Sequence, residues 1–148
     1  LYIPYVDNCL NMTRADEGTR ERRFGQQRPE GDPEQFAGIA KVNLNTGELM
    51  RFGVSAIPST GSTLATAGDV VFNGDVDRRF RAFDANTGEQ LWETVLGGPI
   101  SISTITYAVD GRQYVAVTTG DKGIALARGV GVDPPRGHNE IYVFALPE

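Results

Sequence analysis

The chain has 148 residues, of which 40% are apolar and 22% charged, enough to close one domain around its own core. Its net charge of −5, with no basic patch interleaved with aromatics, argues against nucleic acid as a partner. No apolar run approaches the ~20 residues needed to cross a bilayer, and Cys9, the only cysteine, has no internal disulfide partner.

In chain order, Leu1 to Val6 reads as a strand. A native start inside such a run is not expected, so the N-terminus is read as a processing product or a fragment boundary. Residues 14–36, from Arg14 to Phe36, form an insertion crowded with Arg, Asp and Glu. Its plain reading is a solvated loop; the sharper one is a lid or docking segment, because long structureless loops in compact domains often carry function. From Gly38 onward strands follow one another. Ile39 to Leu44 and Glu48 to Phe52 flank Asn45-Thr46-Gly47; Thr63 to Thr66 and Val70 to Asn73 flank Ala67-Gly68-Asp69. Arg79 to Phe83 and Gln90 to Val95 flank Asn86-Thr87-Gly88, and Ile102 to Val109 and Gln113 to Thr118 flank Asp110-Gly111, a strong hairpin dipeptide. Residues 119–138, with five glycines and two adjacent prolines, read as a long loop, and Ile141 to Leu146 as a last strand. No segment shows a sustained helical period.

Two of these hairpins are copies of each other. Ala82-Phe83-Asp84-Ala85-Asn86-Thr87-Gly88-Glu89-Gln90-Leu91-Trp92 repeats, 41 residues on, the worn pattern Lys41-Val42-Asn43-Leu44-Asn45-Thr46-Gly47-Glu48-Leu49-Met50-Arg51. A hairpin repeat near forty residues predicts an all-β fold of β-propeller blades. A ring needs about four to eight blades, so about three blades make a partial ring. In the better copy Asp84 is placed to accept backbone hydrogen bonds across the turn and Gly88 to take a positive φ. Trp92 offers a flat apolar face for packing between blades.

The motif Ala-x-Asp-x-x-x-Gly-x-x-x-Trp, filled by Ala82, Asp84, Gly88 and Trp92, resembles the tryptophan-docking motif of the quinoprotein dehydrogenases, eight-bladed propellers that carry pyrroloquinoline quinone (PQQ). Leu64 to Asp75 is similar to that family's blade entry, Ile105 to Val117 to its following hairpin, and Asn139 to Pro147 to its last strand. The resemblance covers the chain apart from the charged insertion and implies a C-terminal segment of a PQQ-dependent alcohol, polyol or sugar dehydrogenase. Such an enzyme oxidises a CH–OH group to a carbonyl and passes electrons to a cytochrome c or a quinone. It implies a bacterial periplasmic protein whose remaining blades belong to the same or a companion chain. It also implies Ca2+ or a lanthanide in the complete enzyme. The family's catalytic base and metal ligands resemble motifs that would precede Leu1, so neither is assigned within this chain. The alternative is a non-catalytic propeller that serves as a scaffold or binding module, since a fold alone does not license a function.

Three places match the family's cofactor-facing elements. The first follows the opening strand, where the family places an amide near the quinone; here either Asp7 or Asn8 fills it, and the plain alternative is an Asx-type turn. The second is Thr60-Gly61-Ser62, where methanol-oxidising members have a tryptophan at the place of Thr60. Its replacement implies a roomier or more polar pocket; the alternative is a polar loop. The third is Gly120-Asp121-Lys122-Gly123-Ile124, where relatives have a Gly-Trp pair that reaches the cofactor and Ile124 replaces the tryptophan. Backbone N–H groups of such a loop can bind a carboxylate, and Lys122 can add charge; the alternative is a surface loop. Arg79 and Arg81 share one face of their strand, most simply as a solvated blade edge; the alternative is that one of them pairs with a carboxylate in the channel. His138, the only histidine, reads as a surface residue.

Overall fold

The computed structural model describes residues 1–9, 30–101, 103–120 and 124–146. Ten strands and one helix fill them: β1 (Tyr2–Val6), β2 (Ala37–Val42), β3 (Leu49–Ser55), β4 (Leu64–Ala65), β5 (Val70–Gly74), β6 (Arg79–Asp84), β7 (Gln90–Val95), β8 (Thr104–Val109), β9 (Arg112–Thr118), α1 (Ile124–Gly129) and β10 (Ile141–Ala145). They form three antiparallel sheets, ordered β1-β2-β3, β4-β5-β6-β7 and β10-β9-β8. Sequential antiparallel strands joined by short turns are what a blade requires. Most of the charged insertion lies outside the described residues.

The repeat is literal at atomic level. Asp84 Oδ1 accepts the backbone N–H of Asn86 at 2.8 Å and of Thr87 at 2.7 Å, and the Thr87 hydroxyl at 3.0 Å. Asp84 N donates to Glu89 O at 2.8 Å and Gly88 N to Asp84 O at 2.9 Å, with Gly88 at φ 75°. In the upstream copy Asn43 Oδ1 accepts Asn45 N at 3.0 Å. There Asn43 N donates to Glu48 O at 2.9 Å and Gly47 N to Asn43 O at 2.8 Å, again with Gly47 at φ 75°. The Asp110-Gly111 turn carries φ 50° and 79° and pairs Val109 with Arg112, the two-residue hairpin its dipeptide predicts.

β5 and β6 of the middle sheet bury residues on both faces, because successive strand residues point opposite ways. Val71 and Phe83 face the first sheet and join Ile39, Phe52 and Ala85, with Tyr2 and Met50 packed against them. Phe80 and Phe72 face the third sheet, where Leu96, Ile100, Val115 and Val117 close a second cluster with Tyr142 and Phe144. Trp92 sits edge-on to Phe80 at 6.1 Å and to Phe144 at 5.3 Å, so it packs between the second and third sheets as its motif predicts. Full burial of a side chain such as Phe80 contributes about 1.5–3 kcal/mol, whereas Trp92 stays 39% exposed.

One expectation is corrected. The interval 119–138 is not loop throughout: it contains α1. Ile124-Ala125-Leu126-Ala127-Arg128 are good helix formers, but a six-residue helix between glycines is too short to display a period. Ala127 is fully buried, and Gly131 N bonds back to Arg128 O at 3.1 Å as the turn ends.

Candidate functional site

Alternating strand direction brings the end of β1, the segment before β4 and the segment after β9 to one end of the three sheets. Hydrogen bonds across the sheets fix that arrangement. Thr104 N, opening β8, donates to Ser62 Oγ at 3.0 Å. Ile100 N donates to Asp75 O at 3.0 Å, and Gly120 N to Pro99 O at 2.8 Å. Beyond α1, Val130 and Val132 pack with Val6, Phe36 and Ala37, which joins the last connection to the end of β1.

At the first place Asp7 and Asn8 differ in kind. Asp7 is exposed; its carboxylate lies 3.7 Å from Arg51 Nη1, and its N–H donates to Phe36 O at 2.6 Å. Arg51 in turn lies 4.9 Å over the Tyr5 ring. Asn8 is half-buried, and its Oδ1 is buried without a hydrogen-bond partner. At the second place Gly61 is buried, and Thr60 Oγ1 is likewise buried without a partner. At the third, Asp121, Lys122 and Gly123 lie outside the described residues, as does the side chain of Ile124, which opens α1. Gly120 is buried, with its N–H on Pro99 O and its carbonyl accepting Ser101 Oγ at 3.2 Å, so its own backbone is already engaged.

The other buried side-chain atoms without partners among the described residues are Arg78 Nε, Thr104 Oγ1 and Thr118 Oγ1. All belong to residues at the same end of the sheets as Asn8 and Thr60. An unsatisfied buried donor or acceptor costs about 1–3 kcal/mol, and native structures leave few of them. Their gathering at one end fits a site completed by a polar ligand.

The same end carries an ion-pair network that the sequence reading only half saw. Asp75, with a side chain 3% exposed, accepts Arg81 Nη1 on Oδ2 at 2.6 Å. Its Oδ1 accepts the backbone N–H groups of Asp77 at 2.9 Å and Arg79 at 3.1 Å. Arg81 Nε bonds Glu93 Oε2 at 2.6 Å, Arg79 Nη1 reaches Glu93 Oε1, and Arg79 Nε bonds Asp77 Oδ2 at 3.2 Å. Arg79 and Arg81 are therefore both paired with carboxylates; the Arg81 side chain is largely shielded, whereas that of Arg79, 41% exposed, still lies at a solvated edge. Burial pushes the Asp75 carboxyl above its usual range despite Arg81. Burial pushes Glu93 the same way, but its bonds to Arg81 and Arg79 carry it below its usual range. The signal lay in the register: counting back from the Asp84–Gly88 turn sets Arg81 opposite Glu93.

His138 is exposed; its backbone N–H donates to Gly97 O at 3.1 Å and its carbonyl accepts Thr119 Oγ1 at 2.7 Å. Cys9 is exposed and free. Among the described residues no group of three or more His, Cys, Asp or Glu could hold a metal ion, and no helix is long and apolar enough to cross a membrane.

Comparison with known proteins places this geometry. The quinohemoprotein alcohol dehydrogenase of Comamonas testosteroni is 51% identical over 89 residues, which are 60% of this chain and 12% of that protein. A quinoprotein ethanol dehydrogenase of Pseudomonas putida is 41% identical over 113 residues, 74% of this chain and 18% of that protein. The solved structure of a europium-containing methanol dehydrogenase superposes with a TM-score of 0.68 at 27% identity, over 81% of this chain and 25% of its own. The chain thus spans less than a fifth of the length of these two relatives. Residues 11–115 match the family model for the β-propeller domain of PQQ-dependent glucose, ethanol and alcohol dehydrogenases. Three antiparallel sheets, the doubled docking turn and this match together make the chain a member of that PQQ β-propeller family.

Proposed function

We propose that this chain supplies three blades of a PQQ-dependent alcohol dehydrogenase, and that the end of the sheets carrying Asn8 and Thr60 faces the quinone. The observation that carries the reading is the gathering there of buried, unpartnered polar atoms, two of them on the residues the family resemblance singles out. PQQ bound there supplies the two-electron oxidant for an alcohol CH–OH group. The Asn8 amide and the Thr60 hydroxyl are the polar groups that hold its edge. Asp7 is exposed to solvent beside Arg51, whereas the Asn8 amide oxygen is buried without a partner, so Asn8 is the contact of the two. Lys122 and the backbone of Asp121, Gly123 and Ile124 complete the third contact.

The catalytic base and the ligands for Ca2+ or a lanthanide come from the remaining blades of the ring. Threonine where methanol-type relatives carry tryptophan leaves room for an alcohol larger than methanol, including polyols and sugars. The acceptor of the electrons is a cytochrome c, and the enzyme works in the bacterial periplasm. A full-length protein loaded with PQQ and metal, assayed by dye reduction against methanol, ethanol, 1-butanol, glycerol and glucose, tests this. The reading predicts turnover with the larger substrates in preference to methanol. No dye reduction with any alcohol, or turnover of methanol alone, would sink it.

A further inference from the structure

We propose that Asp75 is a positioning residue for the cofactor: the turn it builds between β5 and β6 holds the segments of Thr60-Gly61 and Gly120 in their relative places. The proposal rests on the quinone reading above. Both Asp75 oxygens are committed, Oδ1 to the N–H groups of Asp77 and Arg79 and Oδ2 to Arg81. The groups facing it are Arg81, Arg79 and Asp77, with Glu93 behind the two arginines. So held, the turn keeps Arg78 at φ 68°, a left-handed conformation that a non-glycine residue adopts only where its surroundings impose it.

The backbone of this turn reaches both ways. On one side Val76 N donates to Pro58 O at 3.4 Å and Ser59 Oγ to Gly74 O at 2.9 Å, which ties down the chain just before Thr60. On the other, Ile100 N donates to Asp75 O at 3.0 Å. Its neighbours Pro99 and Ser101 then grip Gly120 through its N–H and its carbonyl. Pro58, Pro99 and Ile100 are fully buried, and a Cβ at Gly74 would collide with Ile100, so the relay has no slack. A shift of the Asp75 turn moves the Thr60-Gly61 segment and Gly120 together, and small misplacements of binding groups are costly.

The test uses the full-length apo-protein titrated with PQQ, with the thermal midpoint of each variant measured alongside. Asp75→Ala is expected to weaken PQQ about tenfold, through displacement of the two segments that the turn holds. Asp75→Asn keeps an acceptor for the turn N–H groups and is expected to restore most of the affinity. Ser59→Ala removes one brace and is expected to weaken PQQ about threefold. Lys41→Met is the control: it deletes a 2.8 Å bond to Ala85 O at the opposite end of the sheets and lowers Tm without moving the affinity. Wild-type affinity in Asp75→Ala overturns the proposal, as does an equal loss in Lys41→Met. Should Asp75→Ala not fold, wild-type affinity in Ser59→Ala overturns it. A wild-type protein that binds no PQQ overturns the quinone reading, and the positioning role with it.

Discussion

The two glycines of the repeated turn share a φ of 75° but not a neighbourhood. A Cβ on Gly47 meets nothing within 4 Å, whereas one on Gly88 would stand 2.5 Å from Phe52 Cβ. Gly47→Ala therefore carries only the left-handed backbone penalty, about 1–2 kcal/mol. Gly88→Ala adds overpacking against Phe52 and costs about 2–4 kcal/mol. Denaturant unfolding of the two variants checks the order; equal losses would mean that the Phe52 contact is soft. Asp84 sets a second residue-scale expectation. The N–H groups of Thr87 and Asn86 hold its carboxylate below the usual range. A depressed carboxylate contributes stability that is full above its unfolded pKa, near 4, and is lost as pH falls through the folded value. Asp75 acts in the opposite sense: burial raises it, so its protonation on acidification favours the folded state. Asp84→Asn, which copies the natural Asn43 of the upstream turn, should flatten the fall of Tm below about pH 4. An unchanged slope would show that the Asp84 charge contributes nothing there.

At the scale of elements, the docking motif joins sheets as well as closing a hairpin. Trp92 from β7 meets Phe144 from β10 at 5.3 Å and 73°, with Phe80 between the sheets touching both. Such a pair couples by about 0.5–1.5 kcal/mol beyond its buried area. A double-mutant cycle with Trp92→Leu and Phe144→Leu should return a coupling of that size; strict additivity would mean that the two blades do not meet through this pair. The turns were legible in the sequence because their chemistry is local. Asp84, Asn43, Gly88, Gly47 and Asp110-Gly111 each dictate a backbone conformation within four or five residues. Helix α1 was not legible, because a single helical turn and a half between glycines has no period to read. Asn8 and Thr60 could be named only by likeness to a family, since nothing local distinguishes a ligand contact from an Asx turn. Arg81 with Glu93 was countable from the turn, but the buried Asp75 that completes the network depends on a tight bend that no pattern announces.

At the scale of the whole molecule, the described residues of the three sheets leave an apolar face and strand edges open. Ile105, Tyr107 and Val109 alternate along one face of β8, and Ile141 and Val143 of β10 share it; all are exposed. A contiguous apolar face of this kind marks a surface that another element covers, and open edges at β1 and β10 invite further strands. In the proposed ring the neighbouring blades do both, and the site at the end of the sheets is completed by the same closure. The most direct measurement is a titration of the full-length apo-protein with PQQ, followed by quinone absorbance, for the wild type and for Asn8→Ala. Saturable binding by the wild type, weakened about tenfold when the unpartnered Asn8 acceptor is removed, is the predicted result. Absence of binding, or equal affinity in the two proteins, would contradict a quinone held at this end of the sheets.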